Sequence, residues 1–327
     1  MKFIVKLEIK FLLILITFIF YSSCFDFASR IYVADRGNVL VEPIVKQFQK
    51  DGFANILSED CGFDILNKKE VEVFFEEKQP ECVIFSLIHL VEHNFDFGKP
   101  LFFIERTLLA AINLLHAAVK YKTKKVLFLI SSEIFSFNKK KENRFLDIND
   151  LKSNYIFSNL MCCRLIQAFR EQYNLNCALA VVTCDVYGDK RDHMYGGLFF
   201  DIIRNICDAH LSGKKSVTLR CDPKTERHFL YIDDVARAAV ALTRYYESSN
   251  MVYVGATRSV PVEHLCNLAV QHLKYKGKVS YHPLFKGDKS QYLDLFPIHN
   301  YIGWSDLCSV EKMVPLVIDS YIKSKKA

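Results

Sequence analysis

No asparagine in this chain is followed, two residues on, by serine or threonine, so no acceptor for an N-linked glycan is present. No two cysteines are spaced Cys-x-x-Cys, and none pairs with histidine at zinc-ligand spacing, which argues against zinc-finger, zinc-ribbon and thioredoxin-type chemistry. No apolar run reaches the ~20 residues of a standard membrane span. Internal repeats and low-complexity linkers are absent too. Lysines cluster at 120–125 and 139–141, but no nucleic-acid-binding signature accompanies them. They are expected to be solvated turns, and nucleic acid is not an expected partner.

What is present points to a sizeable globular unit. The chain has 327 residues, of which 50% are hydrophobic, and a net charge of +6. That suits one large α/β unit or two small domains. Eleven cysteines are many, but Cys82, Cys177, Cys184 and Cys266 sit in apolar runs and Cys162-Cys163 are adjacent on one helix. Buried, reduced thiols are expected rather than a disulfide framework.

The N-terminus has a separate character. Lys2, Lys6 and Lys10 precede the apolar stretch 11–20 and then Tyr-Ser-Ser-Cys24. A basic region, a short apolar core and small residues form a signal-peptide pattern. Residues 1–29 are therefore expected to be a signal peptide or an N-terminal anchor. Membrane contact is expected only through this segment, and the localisation it implies is the secretory pathway. Cleavage near Cys24 removes three lysines and Glu8, lowering the net charge by two.

From Arg30 onward, apolar strands alternate with helices. Strands are predicted at 30–34, 53–57, 82–88, 124–132 and 176–188, and helices at 41–53, 68–80, 101–122 and 155–173. Ser153 or Asn154 is positioned to cap the last of these. Further on, 227–246 reads as strand, turn and helix, 250–256 as a strand, 260–277 as a helix and 278–283 as a strand. Continuous apolar strands between helices imply a parallel sheet covered on both faces, a doubly wound Rossmann-type α/β fold.

Several short motifs fall along this frame in a fixed order: "IYVADRG" after the first strand, "DILN" at 64–67, "LFLISSEIF", Tyr155-x-x-x-Asn159, "DVYG" at 185–188, "RHFLYIDDVARA" at 227–238, and Gly303-Trp304. Together they resemble the extended short-chain dehydrogenase/reductases, and within these the GDP-L-fucose synthase family, over residues 30–324. The resemblance implies an NADP(H)-dependent, homodimeric, cytoplasmic enzyme. Such an enzyme epimerises C3 and C5 of a GDP-linked keto sugar and reduces C4 by hydride transfer. It also implies an NAD(P)-binding-like domain over 30–190 with a returning segment at about 228–256. A smaller sugar-nucleotide-binding-like domain would comprise 191–227 and 257–327.

At the positions that carry chemistry in that family, this chain differs repeatedly. The glycines of the phosphate-binding turn fall on Asp35, Asn38 and Val41, with Gly37 out of register. Asp35 and Glu42 place negative charge where a helix N-terminus would receive a diphosphate. Glu59 and Asp60 stand where arginines would meet a 2′-phosphate, while Asp64-Ile65 matches the acidic-apolar pair that flanks adenine. Ser131 and Tyr155 match the family serine and tyrosine. Asn159 occupies the place of the lysine, which would lower the phenol's pKa from its free value of ~10 and bind the nicotinamide ribose. Glu133 falls on the family cysteine. The counted position of the family histidine is Gly197, with His193 the nearest histidine. His89-Leu90-Val91-Glu92 and Ser290-Gln291 replace substrate-contact residues. Arg227 matches an arginine that faces nucleotide, and serves equally well as an ion-pair partner.

The apolar scaffold is kept while the site residues change together. This gives the expectation of a GDP-L-fucose synthase-like protein that lacks ordinary turnover, with weak binding of a GDP-sugar and impaired binding of NADP(H). Two other readings stay open. One is an active NAD(P)-dependent nucleotide-sugar epimerase/reductase using Tyr155, Glu133 and His193 as rearranged acid–base groups. The other is a non-catalytic interaction protein of the secretory pathway. No metal is expected, and dimerisation is expected through helices 102–120 and 155–173.

Overall fold

The computed structural model describes residues 25–34, 39–58, 62–88, 101, 104–138, 151–183, 185–190, 193–195, 197–282 and 298–326. Six strands form one sheet: β1 (Ile31–Ala34), β2 (Ile56–Leu57), β3 (Cys82–Ser86), β4 (Lys125–Ser131), β5 (Cys177–Val182) and β11 (Met251–Val254), in the order β11-β5-β4-β3-β1-β2. All of their pairings are parallel. The sheet is the doubly wound α/β arrangement that the strand–helix alternation predicts. Its order reverses between β1 and β3, the crevice where such sheets receive ligands at their carboxyl ends.

The two-residue period of a strand sorts side chains onto two cores. Ile31 and Val33, Cys82 and Ile84, and Leu127 and Leu129 face helices α1 (Val41–Lys50) and α6 (Ile232–Tyr245). Tyr32 and Ala34, Val83 and Phe85, and Val126, Phe128 and Ile130 face α2 (Lys68–Lys78), α3 (Ala110–Lys120) and α4 (Leu151–Tyr173). Both faces are covered, which is why the strands read as unbroken apolar runs.

A third core joins α5 (Gly197–Leu211), α7 (Val262–Leu273) and α9 (Val310–Lys326). Small sheets accompany it. β6 (Val186–Lys190) lies between β10 (Leu230–Tyr231) and β7 (His193–Tyr195), β9 (Glu226–Arg227) pairs with β12 (Val260–Pro261), and β8 (Ser216–Leu219) pairs with β13 (Lys278–Tyr281). The remaining helix among the described residues is α8 (Ile298–Ile302). Gly188 permits the close approach of β6 to α6, since a Cβ there would lie 2.6 Å from Ile232 Cγ2.

Three sequence expectations need correction. The strand predicted over 176–188 is two strands: β5 ends at Val182, and Val186 pairs with Leu230 in another sheet. The helix predicted over 101–122 contains a π-helical turn at Glu105–Leu109. The Cys162 thiol meets the Thr107 carbonyl in that turn at 3.7 Å, so the irregular backbone is used in helix packing. Ser153 and Asn154 do not cap α4, because the helix already begins at Leu151. The cysteines expected to be buried thiols include Cys82, Cys162, Cys177, Cys207, Cys221 and Cys266, all buried and free. Burial pushes the Cys82 and Cys177 thiols up to about 12, so both stay protonated and unreactive at neutral pH.

Candidate active site

Ser131 lies at the carboxyl end of β4, and Tyr155, in the first turns of α4, reaches the carboxyl end of β3. Ser131 is the last residue of β4, and its hydroxyl, 3% exposed, accepts the Glu133 N–H at 3.2 Å. That bond opens the 3-10 helix Ser132–Asn138, in which Glu133 is exposed. Helix α4 packs across this 3-10 segment, with Ile134 and Ile156 in the same core.

Tyr155 is half-buried on α4 and donates its O–H to the Leu87 carbonyl at 3.1 Å. Leu87 follows β3, so the phenol reaches the strand end beside the order reversal. Asn159 lies one turn further along α4 and is 0% exposed. Nδ2 donates to the Tyr155 carbonyl at 2.9 Å, and Oδ1 has no hydrogen-bond partner. Asn159 is thus a neutral, buried side chain bonded within its own helix.

The remaining candidates are dispersed. Val41 is the first residue of α1, 2% exposed and packed in the core beneath β1. Asp64 accepts the Leu66 N–H at 3.0 Å, while its own N–H donates to Glu70 Oε2 at 2.8 Å. Its carboxylate therefore holds the turn that leads into α2. Asn67 completes that turn by capping α2 on the Lys69 N–H. His193 begins β7, where its backbone pairs with Lys190, and its side chain is outside the described residues. Asp35, Asn38, Glu59, Asp60, His89-Leu90-Val91-Glu92 and Ser290-Gln291 also lie outside them. Arg227 is on β9, with Nη1 3.5 Å from Asp185 Oδ2. No cluster of metal-ligating side chains occurs among the described residues.

Sequence reasoning passed over several polar anchors. Asn113 on α3 is buried and donates to the Ile65 and Leu66 carbonyls, both at 3.0 Å, fixing the turn that holds Asp64. Asp185 opens the quoted "DVYG", yet its pairing with Arg227 had no local signal. Asp234 is 0% exposed and receives Arg237 Nε and Nη2 at 3.1 and 2.6 Å. It also receives the Leu307 and Cys308 N–H groups at 3.2 and 3.0 Å. The second aspartate of "YIDD" is thus a buried knot that ties α6 to the segment leading into α9.

Comparison with known proteins agrees with this fold. The model of the NAD dependent epimerase/dehydratase family matches residues 42–255. GDP-L-fucose synthase 1 of Arabidopsis thaliana is 25% identical over 93% of this chain and 96% of its own length. The structure of a GDP-mannoheptose C4 reductase from Campylobacter jejuni, with NADP bound, superposes with a TM-score of 0.74 at 20% identity, covering 91% of this chain and 99% of that one. A GDP-L-fucose synthetase from Naegleria fowleri superposes with a TM-score of 0.74 at 12% identity, covering 94% and 96%. The chain belongs to the NAD dependent epimerase/dehydratase family, as a GDP-L-fucose synthase-like member with the extended short-chain dehydrogenase/reductase fold.

Proposed function

We propose that this chain is a GDP-L-fucose synthase-like protein that has lost ordinary turnover, keeping the nucleotide-sugar scaffold while binding NADP(H) poorly. The observation that carries the reading is the state of the dyad. Asn159 is neutral, buried and bonded to its own helix, and Tyr155 directs its hydroxyl at the Leu87 carbonyl. Reduction of a keto sugar needs the nicotinamide ribose held in place and an accessible proton donor beside the sugar carbonyl. The described residues do not fit a nicotinamide dinucleotide. Asn159 offers neither charge nor exposure, and Asp64 holds its own turn.

Within this reading, residues 30–190 with 228–256 form the cofactor-derived half, and 191–227 with 257–327 form the sugar-derived half. The test is NADPH oxidation with GDP-4-keto-6-deoxy-mannose. No oxidation is expected. Oxidation that depends on the keto sugar and disappears in Tyr155→Phe would instead support an active enzyme with rearranged acid–base groups.

The same scaffold carries an apolar surface suited to a second copy of the chain. Leu109 precedes α3, and Phe157 and Met161 share one face of α4 at a four-residue spacing; all three are exposed. Helices α3 and α4 pack side by side on the sheet, so a two-fold partner would bury these residues in a self-complementary contact. Sedimentation at micromolar concentration is expected to show a dimer, and Phe157→Glu a monomer. A wild-type monomer would count against the interface.

No helix among the described residues is long and apolar enough to cross a membrane. The N-terminal lysine/apolar/small-residue order supports a targeting segment. N-terminal sequencing of the native protein is expected to begin between Cys24 and Arg30. An intact Met1 or Lys2 would remove that part of the proposal.

A further inference from the structure

Asp185 and Arg227 make a poor ion pair by the standards of this protein. Asp234 and Arg237 show what a structural pair looks like here: two forked hydrogen bonds at 2.6 and 3.1 Å, with backbone N–H groups saturating the carboxylate. Asp185 is 9% exposed, yet its Oδ2 lies 3.5 Å from Arg227 Nη1 and is not aligned as a hydrogen bond. Asp185 Oδ2 and Arg227 Nε are both buried without a hydrogen-bond partner. Burial pushes the Asp185 carboxyl upward, and the neighbouring Arg227 charge only partly offsets it.

The backbone around the pair is firmly held, so the mismatch does not come from a loose segment. The Leu230 N–H donates to the Asp185 carbonyl at 3.0 Å, and Arg227 pairs with Val260 between β9 and β12. Thr183 Oγ1 donates to the His228 carbonyl at 3.3 Å, and His228 Nδ1 meets the Ala256 carbonyl at 3.0 Å. These bonds fix β9 against the carboxyl ends of β5 and β11, the end of the sheet where α/β proteins bind ligands. A guanidinium carries five N–H donors in a planar fork suited to phosphate oxygens. Arg227 is 27% exposed, and the chain itself engages that fork incompletely.

We propose that Asp185 is a built-in competitor for Arg227. Its carboxylate occupies, imperfectly, a guanidinium that would otherwise hold the diphosphate of a nucleoside diphosphate or its sugar conjugate. A carboxylate and a diphosphate at one guanidinium repel each other, so removing the Asp185 charge opens the subsite. This rests on the reading that the scaffold keeps a nucleotide-sugar end without turnover.

The test is calorimetric titration of GDP and of inorganic pyrophosphate into the full chain, with Asp185→Asn, Asp185→Ser and Asp185→Asn/Arg227→Gln alongside. Asp185→Asn and Asp185→Ser are expected to bind both probes about tenfold or more tightly than wild type, corresponding to about 1.4 kcal/mol. The double variant is expected to lose that gain. Equal binding by wild type and both single variants, including no binding by any, would overturn the proposal. So would a gain that survives loss of Arg227. Loss of fold in both single variants, read by circular dichroism, would also overturn it, because the pair would then be structural. NADPH oxidation by wild type bears on the inactive-enzyme reading alone, so the two ideas fail separately.

Discussion

Asp234→Ala is expected to lower unfolding stability by roughly 3–5 kcal/mol, the range for removing one partner of a buried ion pair. The carboxylate is 0% exposed and receives both Arg237 nitrogens and two backbone N–H groups. Removing it strands all of these donors at once. Arg237 keeps its bond to the Ser305 carbonyl at 2.7 Å and its place over the Trp304 ring, so its charge stays fixed beside the cavity. A domain is stable by only ~5–15 kcal/mol in total, and the loss should appear as a large fall in the denaturant midpoint. Glu42→Ala, which removes a solvent-exposed (i, i+4) pair with Lys46 and a first-turn acid of α1, is the comparison and should lower the midpoint far less. Equal midpoints for the two variants would show that the knot does not hold α6 to the approach of α9.

Asn159→Lys is expected to fail twice. It should not restore turnover, and it should cost roughly 2–4 kcal/mol, as burying an unpaired charge in a packed site does. The side chain is 0% exposed, and its amide already serves the Tyr155 carbonyl, so a lysine there must displace packed neighbours or give up its proton and remain a neutral amine. Asn159→Leu separates burial from chemistry. It has the same branching and heavy-atom count, though a larger volume, and removes the orphaned Oδ1, so it should destabilise clearly less than Asn159→Lys. If Asn159→Lys proved as stable as wild type and gained NADPH binding, position 159 would have to open onto a cofactor site. Restoring one member of the machinery is expected to recover little in any case, since proton donation and hydride geometry act as a unit.

The central sheet was readable because its physics is local. A strand covered on both faces must be apolar along its middle, and β5 is apolar throughout, while β3 and β4 are apolar but for Ser86, Lys125 and Ser131 at their ends. The end of β5 was not readable, because Val186 is as apolar as Val182 and only its pairing with Leu230 shows that the chain has changed sheets. The same divide runs through the site. Ser131, Tyr155 and Asn159 could be aligned by spacing, and the structure places Tyr155 and Asn159 one turn apart on α4. Asn159 bonds back to Tyr155 at that same four-residue spacing, but that Tyr155 finds the Leu87 carbonyl, sixty-eight residues away, depends on a contact no spacing encodes. Asp234 looked like one of two acids at a helix start, yet its partners at 307 and 308 are more than seventy residues away. The sequence offered Arg227 as an ion-pair partner but could not name Asp185, and it gave no sign of the partners of Asp234.

The most direct measurement is calorimetric titration of NADPH into the purified chain, with NADH as the comparison. The account predicts no saturable heat for either nucleotide at micromolar concentration, because the ribose partner is neutral and sealed at Asn159 and the phenol faces the Leu87 carbonyl. Stoichiometric micromolar binding of NADPH, lost on Tyr155→Phe or altered by Asn159→Leu, would contradict it.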